Sequence, residues 1–208
     1  MVDVVMERYG RVDIAVANAG ALWWKDVIDT PMAKYDLIND INSRGAFALA
    51  RACLPHMLKQ GYGRIITMSP PIDLKMLKGK VAYSISKFGM SLLAMGLAEE
   101  VSGTGVTSNA LWPATMIESF ATKNFGMGTP DMWRKASIIA DATLGICEHG
   151  EVTGQTLIDE EFLRETCGVK DFTKYRYNPD VEPPRIYEFS GFQASRPGEK
   201  DATYRSKL

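Results

Sequence analysis

The sequence predicts an α/β fold, a parallel sheet covered by helices on both faces and followed by an irregular C-terminal tail. Three observations carry this expectation. Short apolar runs with little polar alternation recur in "RVDIAVANAG", "RIITMS", "GVTSNALW" and "GQTLIDE", the pattern of strands buried on both faces. Between them lie longer segments with helical spacing of apolar residues. Strand and helix alternate along the chain, which is the order that builds parallel crossovers.

The elements follow in chain order. "VDVVMERYG" has helical spacing and stops at Gly10. Residues 14–17 form the first strand and run into a tight turn at Asn18, Ala19 and Gly20. Thr30 is the expected N-cap of a long helix, with Pro31 at its first position and its end at residues 61–63. Residues 64–69, rich in branched side chains, form the second strand. A long helix is expected from residue 83 to about residue 100, a third strand over 105–112, an amphipathic helix within 130–150 and a last strand over 154–160. These elements make one domain, residues 1–165. Residues 166–208 are rich in Pro, Gly and charge without a clear period, and are expected to form an extended, partly disordered tail.

Composition narrows the function classes. The 208 residues carry 24 Lys and Arg against 25 Asp and Glu, a balance that gives no electrostatic footprint for nucleic acid. No apolar run approaches the roughly 18 residues of a transmembrane helix. The N-terminus lacks the basic start and apolar stretch of a secretion signal. The three cysteines, Cys53, Cys147 and Cys167, are far apart, and the two histidines, His56 and His149, share no ligand spacing with them. A disulfide framework and a bound metal are therefore not expected, and a reducing compartment fits.

Tyr83 and Lys87 are four residues apart and so share a helix face. A free tyrosine ionises near pH 10, about three units too high for proton transfer at neutrality. A nearby ammonium favours the phenolate and lowers that value, which would suit Tyr83 to give a proton to a carbonyl or take one from an alcohol. Taken alone, Y-x-x-x-K equally describes a solvated helix face. Its company is more specific: "ANAG" follows one strand, "NSRG" lies in the long helix, "MSPP" ends the next strand and "NALWPATMIES" follows downstream. In this combination and order, the chain from Met1 to about Glu160 resembles the short-chain dehydrogenase/reductase family.

The resemblance implies the C-terminal part of a doubly wound, Rossmann-type domain, with about four strands flanked by helices. It implies hydride transfer between NADP or NAD, NADP being favoured, and a small-molecule carbonyl or secondary alcohol. Tyr83 would be the acid/base. Lys87 would lower its pKa and hydrogen-bond the nicotinamide ribose. Asn42 would hold a water in a proton relay to Lys87, its alternative being a packing amide inside the helix. Asn18, Ala19 and Gly20 would form the turn beside the adenosine side of the cofactor, and Pro113, Thr115 and Met116 would lie near the nicotinamide carboxamide. Two departures stand out. The family's usual Pro-Gly is here Pro113-Ala114, and its frequent Ser-Ser pair is here Ser69-Pro70. Proline has no donor, so Ser69 either polarises the substrate carbonyl itself or caps the turn. Trp23, Trp24, Phe120, Phe125 and Met127 either line an apolar pocket for a lipid-like or terpenoid substrate or anchor their loops to the core.

The family's glycine-rich T-G-x-x-x-G-x-G turn, which lets backbone approach a pyrophosphate, has no counterpart in this sequence. Either the sequence is an incomplete version of an ordinary enzyme, or it is a shortened homologue acting as a non-catalytic interaction partner. In both cases the polypeptide alone is expected to fold poorly, with its first strand as an exposed edge, and to bind nucleotide weakly. The resemblance also implies a homo-oligomer formed by the two long helices, with Ala46, Ala48, Ala50, Ala94 and Ala98 permitting close approach. Ser206-Lys207-Leu208 closes the sequence. At a free carboxyl terminus it is an address read by the peroxisomal import receptor, so a peroxisomal location is expected.

Overall fold

In the computed structural model, residues 1–71 and 76–186 are described. The Ser206-Lys207-Leu208 tripeptide therefore lies outside the described residues. The sheet is four-stranded and wholly parallel, in the order β1 (Ile14–Ala17), β2 (Gly63–Met68), β3 (Val106–Trp112) and β6 (Thr156–Ile158). A separate two-stranded pair joins β4 (Met116–Ile117) to β5 (Trp133–Arg134). Among the described strands β1 pairs with β2 alone, and Ile14 is about half exposed at that edge.

Two helical layers enclose the sheet. Ile65 of β2 and Val106 of β3 pack with Ala50, Cys53 and Met57 of α3 (Gly45–Gln60) and Leu97 of α4 (Val81–Glu100). Ile66 and Leu111 point the other way, onto Ile138, Ala142 and Ile146 of α6 (Ser137–Glu148) and Phe162 and Leu163 of α7 (Asp159–Glu165). Successive residues of a strand face opposite sides, so the unalternating apolar run "RII" serves two cores at once. Each fully buried large aliphatic side chain contributes roughly 1.5–3 kcal/mol. The helix α1 (Val2–Tyr9) lies over the first core through Val2, Val5 and Met6 and ends, as expected, on Gly10. The helix α4 is long and apolar enough to cross a bilayer by composition alone. Ala82, Met90, Ala94 and Leu97 are nevertheless buried in the fold, as in a core helix.

Several boundaries differ from expectation. Thr30 caps no helix: its hydroxyl donates to the Asp26 carbonyl in a short 3-10 turn, and Pro31 is the N-cap of α2 (Met32–Asn39). The long helix is not uniform. A π-helical turn over Asp40–Arg44 joins α2 to α3, and it carries Asn42. Gly61 ends α3 at φ 66°, a left-handed position that glycine occupies without steric cost. Residues 130–134 form a 3-10 turn and β5, so α6 starts only at Ser137. Residues 159–160, assigned to the last strand by their sequence, begin α7.

The segment after residue 165 is expected to be extended, yet up to residue 186 it packs on the core. Phe172 and Tyr175 are buried, and the Tyr175 hydroxyl donates to Asp141 at 2.6 Å. The buried Arg134 guanidinium is ion-paired with Glu160 and Glu182, and Arg176 pairs with Glu182 at 2.6 Å. Periodicity was silent here because the anchors are isolated aromatic and charged residues rather than a repeating face.

Candidate active site

Because all four strands run in parallel, their carboxyl ends share one edge of the sheet, where open α/β sheets bind ligands. The turn 18–20 follows β1, Ser69 follows β2, residues 113–116 follow β3 and Asp159 follows β6. The structure thus gathers at one edge residues that are separated by up to 141 positions in sequence.

Tyr83 and Lys87 both face the loop that follows β1. The Trp24 ring meets the Tyr83 ring edge-on, with centroids 6.1 Å apart. A Cβ placed on Gly20 would lie 3.3 Å from Lys87 Nζ and 3.4 Å from Asn42 Oδ1. A side chain at this position would press on the ammonium and the amide, and glycine avoids that crowding. Lys87 Nζ donates to the Met68 carbonyl at 2.8 Å and touches Met90 Sδ at 3.6 Å.

The expected lowering of the Tyr83 pKa by Lys87 does not hold. Burial pushes the phenol up to about 12 and the same burial pushes the Lys87 ammonium down to about 8. Each charged form loses hydration on burial, and that loss alone sets both shifts. At neutral pH Tyr83 is therefore a neutral phenol, equipped to donate a proton, and most of Lys87 keeps its charge.

Asn42 is fully buried, and its side chain is committed. Its Oδ1 accepts from the Ala21 N–H at 2.9 Å, and its Nδ2 donates to the Ala21 carbonyl at 2.9 Å and to Ser86 Oγ at 2.8 Å. Ser86 Oγ in turn donates to the Tyr83 carbonyl at 2.7 Å. Asn42 thus clips the post-β1 loop to the helix that bears Tyr83. Ser69 is buried, and its hydroxyl donates to the Lys87 carbonyl at 3.2 Å. This bond ties the end of β2 to α4.

Ala114 sits in the place of the family's glycine without strain. No non-glycine residue among those described has a positive φ, and Ala114 is wholly buried. Thr115 is buried beside it, with its hydroxyl donating to the Met116 carbonyl at 3.3 Å. Pro113 and Met116 are half-buried. Among the aromatic candidates, Trp24 lies against Tyr83, and Lys80 Nζ sits 4.6 Å over its ring. Trp23 lies under Lys34 Nζ at 5.1 Å. Both indole N–H groups are buried without a hydrogen-bond partner. Phe120 and Phe125 are exposed and meet each other at the two ends of α5 (Phe120–Asn124), and Met127 accepts from the Trp133 indole through its carbonyl at 3.0 Å. Sequence reasoning passed over Ser86, Trp24 as the neighbour of Tyr83, and Asp159. Only the alternation of "YSISK" could have pointed to Ser86.

Comparison with known proteins agrees with this geometry. The family model for short chain dehydrogenase matches residues 1–127. Mouse hydroxysteroid dehydrogenase-like protein 2 is 39% identical over 182 residues, covering 86% of this chain and 37% of the relative. The zebrafish protein of the same name is also 39% identical over 86% of this chain, which matches 43% of its length. The chain thus spans less than half the length of these curated relatives. A short chain dehydrogenase from Mycobacterium thermoresistibile superposes with a TM-score of 0.81 at 35% identity, covering 95% of this chain and 71% of that one. The sheet, the strand-end loops and the family match over more than half its length agree that this chain belongs to the short-chain dehydrogenase family.

Proposed function

We propose that this chain carries the proton-transfer and nicotinamide-side half of an NAD(P)-dependent oxidoreductase that reduces carbonyl compounds to secondary alcohols. The observation that carries this reading is Tyr83, a neutral phenol held one helical turn from Lys87 on α4, both facing the loop at the carboxyl ends of the strands. A phenol that keeps its proton well above neutrality is a general acid, so carbonyl reduction is the direction it serves best.

The residues present suit a nicotinamide cofactor in kind, because the strand-end loops meet at this edge, where open α/β sheets bind ligands, and the Gly20 turn lies against the Lys87 ammonium and the Asn42 amide. Asn18, Ala19 and Gly20 would border one side of the cofactor, Lys87 would bond its ribose, and Pro113, Thr115 and Met116 would border the carboxamide. When bound, the cofactor supplies the hydride. Tyr83 gives its proton to the developing alkoxide oxygen, one helical turn from the Lys87 ammonium that would bind the cofactor ribose. NADP is the cofactor form favoured by the family resemblance. Trp24 supports an apolar, lipid-like or terpenoid substrate, since its ring lies edge-on against the phenol. An assay of NADPH and NADH oxidation against aliphatic, terpenoid and fatty-acyl carbonyls tests the reading, with Tyr83→Phe as the control.

A second reading, an oligomerising partner, is favoured by the outer face of the helix pair. Of the five alanines expected to permit close approach, Ala46, Ala50, Ala94 and Ala98 are buried within the chain, and Ala48 is exposed on α3. The large outward residues are Phe47, Ile85, Phe88 and Leu92, all substantially exposed. Ile85, Phe88 and Leu92 share one face by helical spacing. Light scattering is expected to show a dimer or larger species that Phe88→Asp converts to monomer. A monomeric wild-type protein would count against this face as an interface.

A further inference from the structure

Asp159 is the first residue after β6 and is completely buried. Its Oδ1 accepts from the Ala114 N–H at 2.8 Å and from the Glu160 N–H at 2.7 Å, while its Oδ2 is buried without a partner. A carboxylate in such a place is costly, and burial pushes Asp159 up to about 7 despite those two N–H groups and the nearby Arg134. Retaining an ionisable group here calls for a reason beyond packing. The other side of the same peptide is also tied: the Ala114 carbonyl accepts from the Ile186 N–H at 2.8 Å. Ala114 therefore has both backbone groups held, one by the end of β6 and one by the segment that crosses the core after Tyr175.

We propose that Asp159 is a positioning residue for the nicotinamide-side loop, holding the Ala114 amide so that Pro113, Thr115 and Met116 keep a fixed place at the cofactor edge. The proposal rests on the oxidoreductase reading for its purpose but not for its geometry. Asp159 touches neither substrate nor reacting atoms. It acts through Ala114, and the buried ion pair of its neighbour Glu160 with Arg134 keeps the start of α7 in register. Loss of the side chain would free residues 113–117 while leaving β3 and β6 paired.

The test is hydrogen exchange across the full chain for wild type, Asp159→Ala and Asp159→Asn, each with and without NADP. Asp159→Ala is expected to speed exchange at least tenfold in residues 114–117 and to leave β2 and β3 unchanged. Asp159→Asn, whose amide oxygen can still accept from Ala114, is expected to restore protection to within twofold. In turnover assays kcat should fall at least tenfold in Asp159→Ala and recover in Asp159→Asn, with the KM for the carbonyl substrate moving less than twofold. Wild-type exchange rates in Asp159→Ala, or faster exchange spread over β3 as well, would overturn the proposal. So would an Asp159→Asn protein as loose as Asp159→Ala. Should Asp159→Ala fail to fold, Asp159→Asn alone decides: it must keep wild-type protection at 114–117. Absence of turnover in the wild type would count against the oxidoreductase reading, whereas the exchange result needs no cofactor and stands by itself.

Discussion

Tyr83→Phe is expected to lower the rate of carbonyl reduction by about 10²–10⁴-fold, the usual worth of a positioned general acid, in the protein purified as its gene encodes it. The substitution removes one oxygen and keeps the ring. The edge-on contact with Trp24 therefore persists, as does the bond from Ser86 Oγ to the backbone carbonyl of residue 83. Thermal stability and circular dichroism should match wild type. The loss should appear in kcat, because the proton moves only as the alkoxide forms and the carbonyl ground state gains little from the donor. A variant with wild-type turnover would remove Tyr83 from the chemistry. A variant that loses its fold would show that the hydroxyl is structural.

Arg134→Met should destabilise the protein by about 3–5 kcal/mol, the cost of removing one partner from a buried ion pair. Arg134 is almost wholly buried and is paired with Glu160, itself buried, and with Glu182, while its Nη1 donates to the Phe172 carbonyl at 3.3 Å. Methionine fills much of the volume but leaves the Glu160 carboxylate facing Asp159 without a counter-charge beyond Arg185, 3.5 Å away. Chemical denaturation at neutral pH measures the effect. A change below about 1 kcal/mol would place the hold on residues 166–186 in the apolar contacts of Phe172 and Tyr175 rather than in the ion network, this being the range of exposed pairs.

The legible part of the fold was the part built on periodic apolar patterns. Strands at 14–17, 63–68 and 106–112 and the helix bearing Tyr83 follow from runs such as "RIIT" and from helical spacing, because each faces a continuous core. Other features rest on single contacts and leave no period. The π turn around Asn42, the 3-10 turn and β5 before α6, and the segment from Phe172 to Ile186 are of this kind. Within the site, Tyr83 and Lys87 were legible as a pair because four residues is one helical turn. The sign of the Tyr83 shift was not, because it depends on how much water the folded crevice excludes. Asn42 was found, but its bonds to Ala21 depend on a loop 21 residues away. Asp159 was invisible for the same reason: its partner at Ala114 is 45 residues distant, and only the parallel pairing of β3 with β6 brings them together.

The central claim is that Tyr83 stands beside Lys87 as a neutral proton donor, its phenolate disfavoured by burial. Titration of carbon-13-labelled tyrosine ring carbons, with the Tyr83 signal assigned through Tyr83→Phe, tests this directly. The account predicts a phenol that remains protonated to pH 10, with ionisation near 12 where the fold survives. A phenolate signal growing in with a midpoint near pH 7 would contradict it.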